Sequence, residues 1–212
     1  MTTKISRRGV LQSSVAAALV SAVPSLAFAE FSGYKPAVSG RPAPPQSQYG
    51  KTTTAEEVTA GMNLAGRTAL VTGCNSGLGL ETMRVLALRG AHVIGAARTA
   101  EKAKAACESV EGKTTPLVVE LTDLPGIVAA ADQVAAMDMP IDMLILNAGI
   151  MALPERQLAN GVELQFAVNH VGHFLLTNRL HDQVVAADAG RVVVVSSGAH
   201  RSAPEEGIQF DN

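Results

Sequence analysis

Short apolar runs alternate with amphipathic stretches along the chain from Arg67 onward. Five runs are rich in aliphatic residues at consecutive positions, which is typical of strands buried on both faces of a parallel sheet. The predicted strands span residues 68–72, 91–97, 117–120, 143–147 and 191–196. Each gap between them leaves room for a crossover connection.

The gaps carry apolar residues at helical spacing. One predicted helix contains Leu80, Met83, Leu86 and Ala87 and ends at Gly90. A second covers about residues 124–137, and a longer one covers about residues 162–187. Because strands and helices alternate, we expect an α/β fold, a Rossmann-type doubly wound parallel sheet with right-handed crossovers. Its ligand would bind at the carboxyl ends of the strands.

The last predicted strand has no predicted neighbour on one side. Its four consecutive valines, residues 192–195, are followed by no further strand or helix pattern before residue 212. A strand that is apolar on both faces needs a cover and a pairing partner. We therefore expect a sheet truncated after the fifth strand, and a truncated reading frame is the simplest explanation.

The composition indicates one globular domain without a nucleic-acid partner. Of the 212 residues, 47% are hydrophobic and 17% are charged, which is too apolar for a disordered chain. The formal net charge is −2, and no basic stripe is interleaved with aromatic residues. The two cysteines, Cys74 and Cys107, have neither a disulfide framework nor metal-ligand spacing.

The N-terminal segment has the pattern of an export signal. Arg7 and Arg8 precede an uncharged run that ends in Ala27-Phe28-Ala29, which predicts cleavage before Glu30. The paired arginines resemble a twin-arginine signal, so we expect residues 1–29 to direct export to the periplasm. The alternative is an uncleaved membrane anchor, although polar residues within the run make it weakly apolar. After cleavage no stable membrane span is expected.

Residues 30–62 are predicted to form an extended linker. They contain Pro36, Pro42, Pro44 and Pro45 and show little apolar periodicity. The folded domain would then occupy residues 63–212.

A glycine-rich loop joins the first predicted strand to its helix. It reads Thr72-Gly73-Cys74-Asn75-Ser76-Gly77-Leu78-Gly79. The three glycines suit a tight turn, close approach to a pyrophosphate and packing of helix on strand, and the helix N-terminus offers N–H groups to a phosphate. Taken alone, the loop could be a plain strand-to-helix turn. For Cys74, a small residue filling the turn is favoured over a thiol switch.

Three further motifs occur in register with this loop. They are Asn147-Ala148-Gly149 after the fourth strand, Asn169-His170-Val171-Gly172-His173-Phe174 on the following helix, and Val195-Ser196-Ser197 at the fifth strand. With the T-G-x-x-x-G-x-G spacing, residues 63–212 resemble the short-chain dehydrogenase/reductase family, and residues 165–177 are most similar to its retinol-dehydrogenase and WW-domain-oxidoreductase branch. Two residues depart from the family's usual pattern: Leu146 replaces a second asparagine, and Glu120 replaces an adenine-contacting aspartate.

The end of the second strand indicates the cofactor. An NAD enzyme has an acidic residue there for the ribose 2′-hydroxyl, but this chain has Ala97 followed by Arg98, which can bind a 2′-phosphate. NADP(H) is therefore expected, and NAD(H) is less favoured. The alternative is that Arg98 caps the end of the strand, points into solvent and binds no cofactor. Together with the resemblance, this gives the expected cofactor-binding residues: Thr72, Gly73, Asn75, Ser76, Gly77, Leu78, Gly79, Arg98, Glu120, Leu121, Asn147, Ala148 and Gly149.

The resemblance also implies a catalytic set. Ser197 matches the serine that polarises a substrate carbonyl, with Ser196 as the second choice, and Asn169 matches the asparagine that helps hold a water relay. The family's Tyr-x-x-x-Lys motif has no match, because neither residue type occurs after Ser197 and the last lysine is Lys113.

The resulting hypothesis is an NADP(H)-dependent oxidoreductase for a small-molecule alcohol or carbonyl, of which this chain is a truncated and inactive copy. A non-catalytic nucleotide-binding or partner-binding Rossmann protein is the alternative. No metal site is expected: His170 and His173 lie three apart, but no carboxylate or cysteine shares their spacing. A homo-oligomer has no support in the sequence.

Overall fold

The computed structural model describes residues 47–199. The predicted signal peptide, most of the predicted linker and residues 200–212 lie outside the described residues.

Within residues 47–199, seven strands form two sheets. In chain order they are β1 (Thr68–Thr72), β2 (His92–Ala97), β3 (Thr114–Val118), β4 (Met143–Leu146), β5 (Leu158–Ala159), β6 (Val162–Glu163) and β7 (Arg191–Val194). The main sheet has the order β3-β2-β1-β4-β7, and all its strands are parallel. The order reverses between β2-β1 and β4, as in a doubly wound sheet. The predicted fold class is confirmed.

Helices connect these strands. They are α1 (Ala55–Val58), α2 (Gly77–Leu88), α3 (Ala100–Glu108), α4 (Leu124–Ala135), α5 (Leu164–Phe166), a π-helical segment (Ala167–Gly172), α6 (His173–Arg179) and α7 (His181–Val185).

The core lies on both faces of the main sheet. Alternate residues of β1 point to opposite faces, so Leu70 belongs to one buried cluster and Val71 to the other. Leu70 packs in a cluster with Ile127 of α4 and Leu176 of α6, and Val71 packs in one with Met83 of α2. The five residues of β1 are all buried, as the uninterrupted apolar run predicts.

The third strand lies earlier than predicted, at Thr114–Val118 instead of 117–120. Its register is set by β2, where Val93 pairs with Thr114 and Ala97 with Val118. β3 is an edge strand, so it tolerates threonines and a proline that the apolar-run criterion excludes.

The predicted long helix at 162–187 is interrupted. A hairpin turns at Asn160 and Gly161, whose φ angles are 52° and 78°, so residues 162–163 belong to a strand. The helix that follows contains the π-helical segment and ends near the buried Leu180 before α7 begins. Helical spacing alone does not reveal such breaks, because they leave the apolar periodicity nearly intact.

Two helices were not predicted. α3 buries Ala103, Ala106 and Cys107 and begins after Thr99, whose side chain accepts a hydrogen bond from the Lys102 N–H. α1 lies within the predicted linker, where a capping box between Thr54 and Glu57 begins a single helical turn.

β7 lies at an edge of the main sheet and is exposed. Val192, Val193 and Val194 are 44%, 46% and 66% exposed, in contrast to the buried β1. Among residues 47–199, no helix is both long and apolar enough to cross a membrane.

Candidate functional site

A cleft of about 520 Å³ opens at the carboxyl ends of β1, β2, β3 and β4. Its lining comes from the loops that follow these strands, which is where a doubly wound sheet binds its ligand. The lining residues are Thr72, Gly73, Asn75, Ser76, Leu78, Ala96, Ala97, Arg98, Val119, Glu120, Leu121, Thr122, Asn147, Ala148, Gly149, Ile150, Leu164 and Val168.

The glycine loop has the geometry that its sequence predicts. Gly73 has φ of 70°, and a Cβ there would lie 2.9 Å from the Cα of Ala148. A Cβ at Gly79 would collide with the Gly73 carbonyl oxygen, so this glycine lets α2 pack against the end of β1. Gly77 has φ of 54° and open space around its missing Cβ, which leaves the backbone accessible.

The N-terminus of α2 borders the cleft. Ser76 precedes the helix in an extended conformation, and its side chain makes no capping hydrogen bond to the described residues. The first N–H groups of a helix have no intrahelical acceptor, so this end of α2 suits an anion such as a phosphate.

The Thr72 hydroxyl joins β1 to the turn after β4. Thr72 Oγ1 accepts hydrogen bonds from the N–H groups of Asn147 at 2.9 Å and Ala148 at 3.0 Å. The Asn147 side-chain amide donates to the Thr72 carbonyl oxygen at 2.9 Å. These bonds hold the Asn147-Ala148-Gly149 turn against the glycine loop.

His173 approaches the same hydroxyl from α6. Its Nε2 lies 2.9 Å from Thr72 Oγ1, and its Nδ1 lies 3.2 Å from the Asn169 carbonyl oxygen. The residue is only 4% exposed, and burial lowers the pKa of its imidazole.

The Asn169 side chain binds the backbone of Ile150, the residue that follows the Asn147-Ala148-Gly149 turn. Its side-chain oxygen accepts from the Ile150 N–H at 2.9 Å, and its amide donates to the Ile150 carbonyl at 2.8 Å. Both polar atoms of this side chain are therefore engaged with the backbone that lines the cleft.

Arg98 lies at the rim of the cleft, directly after β2. It is exposed and forms no ion pair or hydrogen bond with the residues that the structure describes. The preceding Ala97 is 3% exposed and supplies no charge. A phosphate at this end of the cleft would meet a cation and no acid from β2.

Glu120 and Leu121 line the cleft after β3. The Glu120 carboxylate accepts from the Thr122 N–H at 3.1 Å and from its hydroxyl at 3.0 Å. This carboxylate is thus held by its own loop. Asn160 of the hairpin turn also donates to the Thr122 carbonyl at 2.8 Å, which joins the hairpin to this end of the cleft.

The residues predicted from sequence separate into two groups. Most predicted cofactor residues line the cleft, while Gly77 and Gly79 shape the loop behind it. Asn169 and Ser197 are outside the lining: Asn169 bonds to Ile150, and Ser197 follows β7, where its hydroxyl oxygen accepts from the Ala199 N–H at 3.1 Å.

The sequence analysis missed His173 as a partner of Thr72. The two residues are 101 positions apart, and the only signal was a histidine one turn after Asn169 in a predicted helix. His170 takes a different position, stacked against Phe166 with ring centroids 5.0 Å apart, so the two histidines do not face one ligand. Burial raises the pKa of the Cys74 thiol to about 12, which favours the packing interpretation of that cysteine.

Comparisons with known proteins agree with this geometry. The family model for short chain dehydrogenase matches residues 67–209. Over 176 residues the chain is 40% identical to short-chain dehydrogenase TIC 32 B, chloroplastic, of Brassica napus, covering 78% of this chain and 55% of that protein. Over 161 residues it is 37% identical to the human WW domain-containing oxidoreductase, covering 74% and 39%.

A solved structure shows the same fold. The crystal structure of a metagenomic short-chain oxidoreductase in complex with NADP matches with a TM-score of 0.58 and 29% identity, covering 68% of each chain. The chain spans about half the length of the first relative. The family resemblance deduced from the motifs is confirmed.

Proposed function

Because the chain belongs to the short-chain dehydrogenase family, we propose that it forms the NADP(H)-binding part of an oxidoreductase that acts on an alcohol or carbonyl group of a small molecule. The observation that carries the cofactor choice is Arg98 at the rim of the cleft, beside the uncharged Ala97. The NADP complex of the metagenomic relative supports the same choice.

The lining fits a dinucleotide. The loop between Gly73 and Gly79, with the N-terminus of α2, would hold the pyrophosphate, since Gly77 has open space where a Cβ would lie and so permits a close approach of its backbone. Arg98 would bind the 2′-phosphate through its guanidinium. Leu121 with Glu120 would border the adenine, and the Asn147-Ala148-Gly149 turn the nicotinamide. When bound, the cofactor supplies or accepts the hydride.

Ser197 and Asn169 are the proposed catalytic residues. A serine hydroxyl donates a hydrogen bond to a carbonyl oxygen and so stabilises the negative charge that develops there during reduction. Asn169 would keep the Ile150 backbone in place beside the reacting groups. The product alkoxide still needs a proton, and the sequence contains no tyrosine or lysine after Ser197. We therefore propose that residues 1–212 bind the nucleotide but do not complete the reaction.

The second candidate is a non-catalytic nucleotide-binding or partner-binding Rossmann protein. Both candidates require the cleft and differ in whether Ser197 and Asn169 take part in a reaction.

We also propose that residues 1–29 direct export through the twin-arginine route to the periplasm, on the evidence of Arg7-Arg8 and Ala27-Phe28-Ala29.

Equilibrium binding to the full chain tests the nucleotide function. NADPH, which fluoresces, is titrated with the protein and then displaced with NADP⁺ or with NAD⁺. We expect saturable binding that NADP⁺ reverses at lower concentration than NAD⁺. Lack of binding by both nucleotides would refute the proposal, and a preference for NAD⁺ would refute the cofactor choice.

A further inference from the structure

We infer that His173 is a positioning residue of the nucleotide cleft, whose neutral ring fixes the Thr72 hydroxyl on one side and the Asn169 carbonyl on the other. This inference rests on the proposed function, because its consequence is measured as nucleotide affinity. His173 does not line the cleft itself.

The hydrogen bonds of Thr72 determine the direction of its hydroxyl proton. A threonine hydroxyl has one proton to donate and two lone pairs to accept with. Asn147 and Ala148 occupy the lone pairs, since each donates its backbone N–H to Thr72 Oγ1 at about the same distance, 2.9 and 3.0 Å. The proton is then left for His173 Nε2, which lies 2.9 Å away.

This arrangement determines the tautomer of His173. Nε2 must be unprotonated to accept from Thr72, so in the neutral ring the proton is on Nδ1. Nδ1 lies 3.2 Å from the Asn169 carbonyl oxygen, which can only accept. Nε2 thus accepts a hydrogen bond from a donor, and Nδ1 donates one to an acceptor. Burial lowers the pKa of His173 and so favours the neutral ring.

The two partners of His173 control separate parts of the cleft lining. Thr72 holds the turn that begins at Asn147, and Asn169 holds Ile150 immediately after that turn. The carbonyl that His173 binds lies in the π-helical segment, where the regular ladder of helical hydrogen bonds is displaced. A side chain that cannot accept from Thr72 would leave the buried Thr72 hydroxyl without an acceptor and loosen the turn. Asn169 is exposed, so water can replace the Nδ1 bond to its carbonyl.

The tautomer of the wild-type ring is a direct test. In the full chain labelled with ¹⁵N at histidine, two-bond ¹H–¹⁵N correlation spectra distinguish a protonated from an unprotonated ring nitrogen. We expect His173 to carry its proton on Nδ1 at neutral pH. A protonated Nε2 would overturn the inference, and this measurement does not depend on any variant folding or on any nucleotide binding.

Three variants separate the two hydrogen bonds. In His173→Gln the amide oxygen can take the place of Nε2, and in His173→Asn the amide nitrogen can take the place of Nδ1, whereas His173→Leu retains neither. We expect His173→Gln to keep NADPH affinity within about threefold of the wild type, and His173→Asn and His173→Leu to lose about tenfold. A role in packing alone would make the leucine variant as good as the glutamine variant.

The matched control is His170→Gln, three residues before His173, because His170 is exposed and stacks on Phe166, while the bond to Thr72 is made by His173. It should bind NADPH as the wild type does. In a Thr72→Val background, His173→Asn should cause no additional loss, since the hydroxyl through which it acts is absent. Equal affinities of the glutamine and asparagine variants would overturn the inference. If the wild type binds no NADPH, the proposed function fails, and the tautomer still decides whether the hydrogen-bond assignment is right.

Discussion

At the scale of single residues, the proposed preference for NADP(H) rests on Arg98. Replacing it with alanine removes a bidentate partner of the 2′-phosphate, which should weaken NADPH binding by about 1.5–3 kcal/mol, or roughly tenfold to more than a hundredfold. NADH lacks that phosphate, so its affinity should stay unchanged. Fluorescence titration of the Arg98→Ala variant with both nucleotides measures the difference.

Arg179→Ala is the matched control for this titration. Arg179 pairs with Asp132 on the surface and lies outside the cleft lining, so its loss removes the same charge without touching the site. If Arg98→Ala binds NADPH as tightly as the control does, Arg98 does not contact the cofactor.

Two histidines should make the fold sensitive to mild acid. The pKa of His173 is lowered, chiefly by burial, and so is the pKa of His92. Between the unfolded-state pKa near ~6.5 and the lower folded-state pKa values, the unfolded chain binds more protons than the folded chain. The stabilisation from the neutral histidines is therefore fully present above the unfolded-state pKa and is lost as the pH falls through this range. We expect the urea midpoint to drop between about pH 7.5 and pH 5.5.

The His173→Gln variant should show a smaller drop over this range, because one of the two titrating groups is gone. His181→Gln changes an exposed histidine and should leave the drop as it is in the wild type. A midpoint that stays constant with pH would contradict the buried neutral state of His173.

Site residues close together in sequence could be predicted, and contacts across the fold could not. The glycine loop is a local backbone requirement, which is why Gly73 and Gly79 were identified without a structure. The bond from His173 to Thr72 joins residues from two distant elements, and nothing in the helical spacing specified which way the imidazole points.

At the scale of elements, β7 differs in its exposure from β1, which also has an apolar sequence but is buried. Its valines are exposed at one edge, a feature that promotes pairing with other chains. The substitution Val194→Lys should reduce concentration-dependent association in light scattering or sedimentation. Because Val194 is 66% exposed, the substitution should change the free energy of unfolding by no more than about 0.5 kcal/mol.

Val118→Lys serves as the control for this test. Val118 is 45% exposed and lies on β3, at the opposite edge of the same sheet. A reduction of association as large as that of Val194→Lys would indicate a general effect of added charge, and the β7 edge would then have no special role.

The strands could be predicted better than the helices, and the reason lies in their neighbours. β1 is buried on both sides, so its apolar run coincides with the strand. β3 pairs only with β2, and its position follows from that register rather than from its own hydrophobicity. α3 has a narrow buried face of three small residues, which gives a weak periodic pattern.

At the scale of the whole molecule, the proposed export route is compatible with nucleotide binding. The twin-arginine route carries folded proteins, so a protein that needs NADP(H) could load it before leaving the cytoplasm. Residues 1–35 fused to a reporter that is active only when exported folded should direct its export, and replacement of Arg7 and Arg8 by lysine should abolish most of it. Undiminished export by the lysine variant would exclude this route.

The last prediction concerns turnover by the whole chain. Residues 1–212 should bind NADPH without reducing any member of a carbonyl panel, because the sequence has no tyrosine or lysine after Ser197 to supply the proton. General acid catalysis contributes about 10² to 10⁴ in rate, and Ser197, in its proposed role as a hydrogen-bond donor to the carbonyl, does not supply this contribution. Extending the chain at Asn212 with the corresponding C-terminal segment of the Brassica napus relative should restore a measurable rate of NADPH oxidation.

A variant of the extended chain separates chemistry from folding. Ser197→Ala in that chain should keep NADPH affinity and lose turnover, since Ser197 lies after β7 and outside the cleft lining. If extension improves solubility and binding but not turnover, the segment completes the sheet without supplying the chemistry, which favours the non-catalytic alternative. Equal turnover by residues 1–212 and by the extended chain would mean that a residue within this sequence donates the proton, and the assignment of Ser197 and Asn169 would have to be replaced.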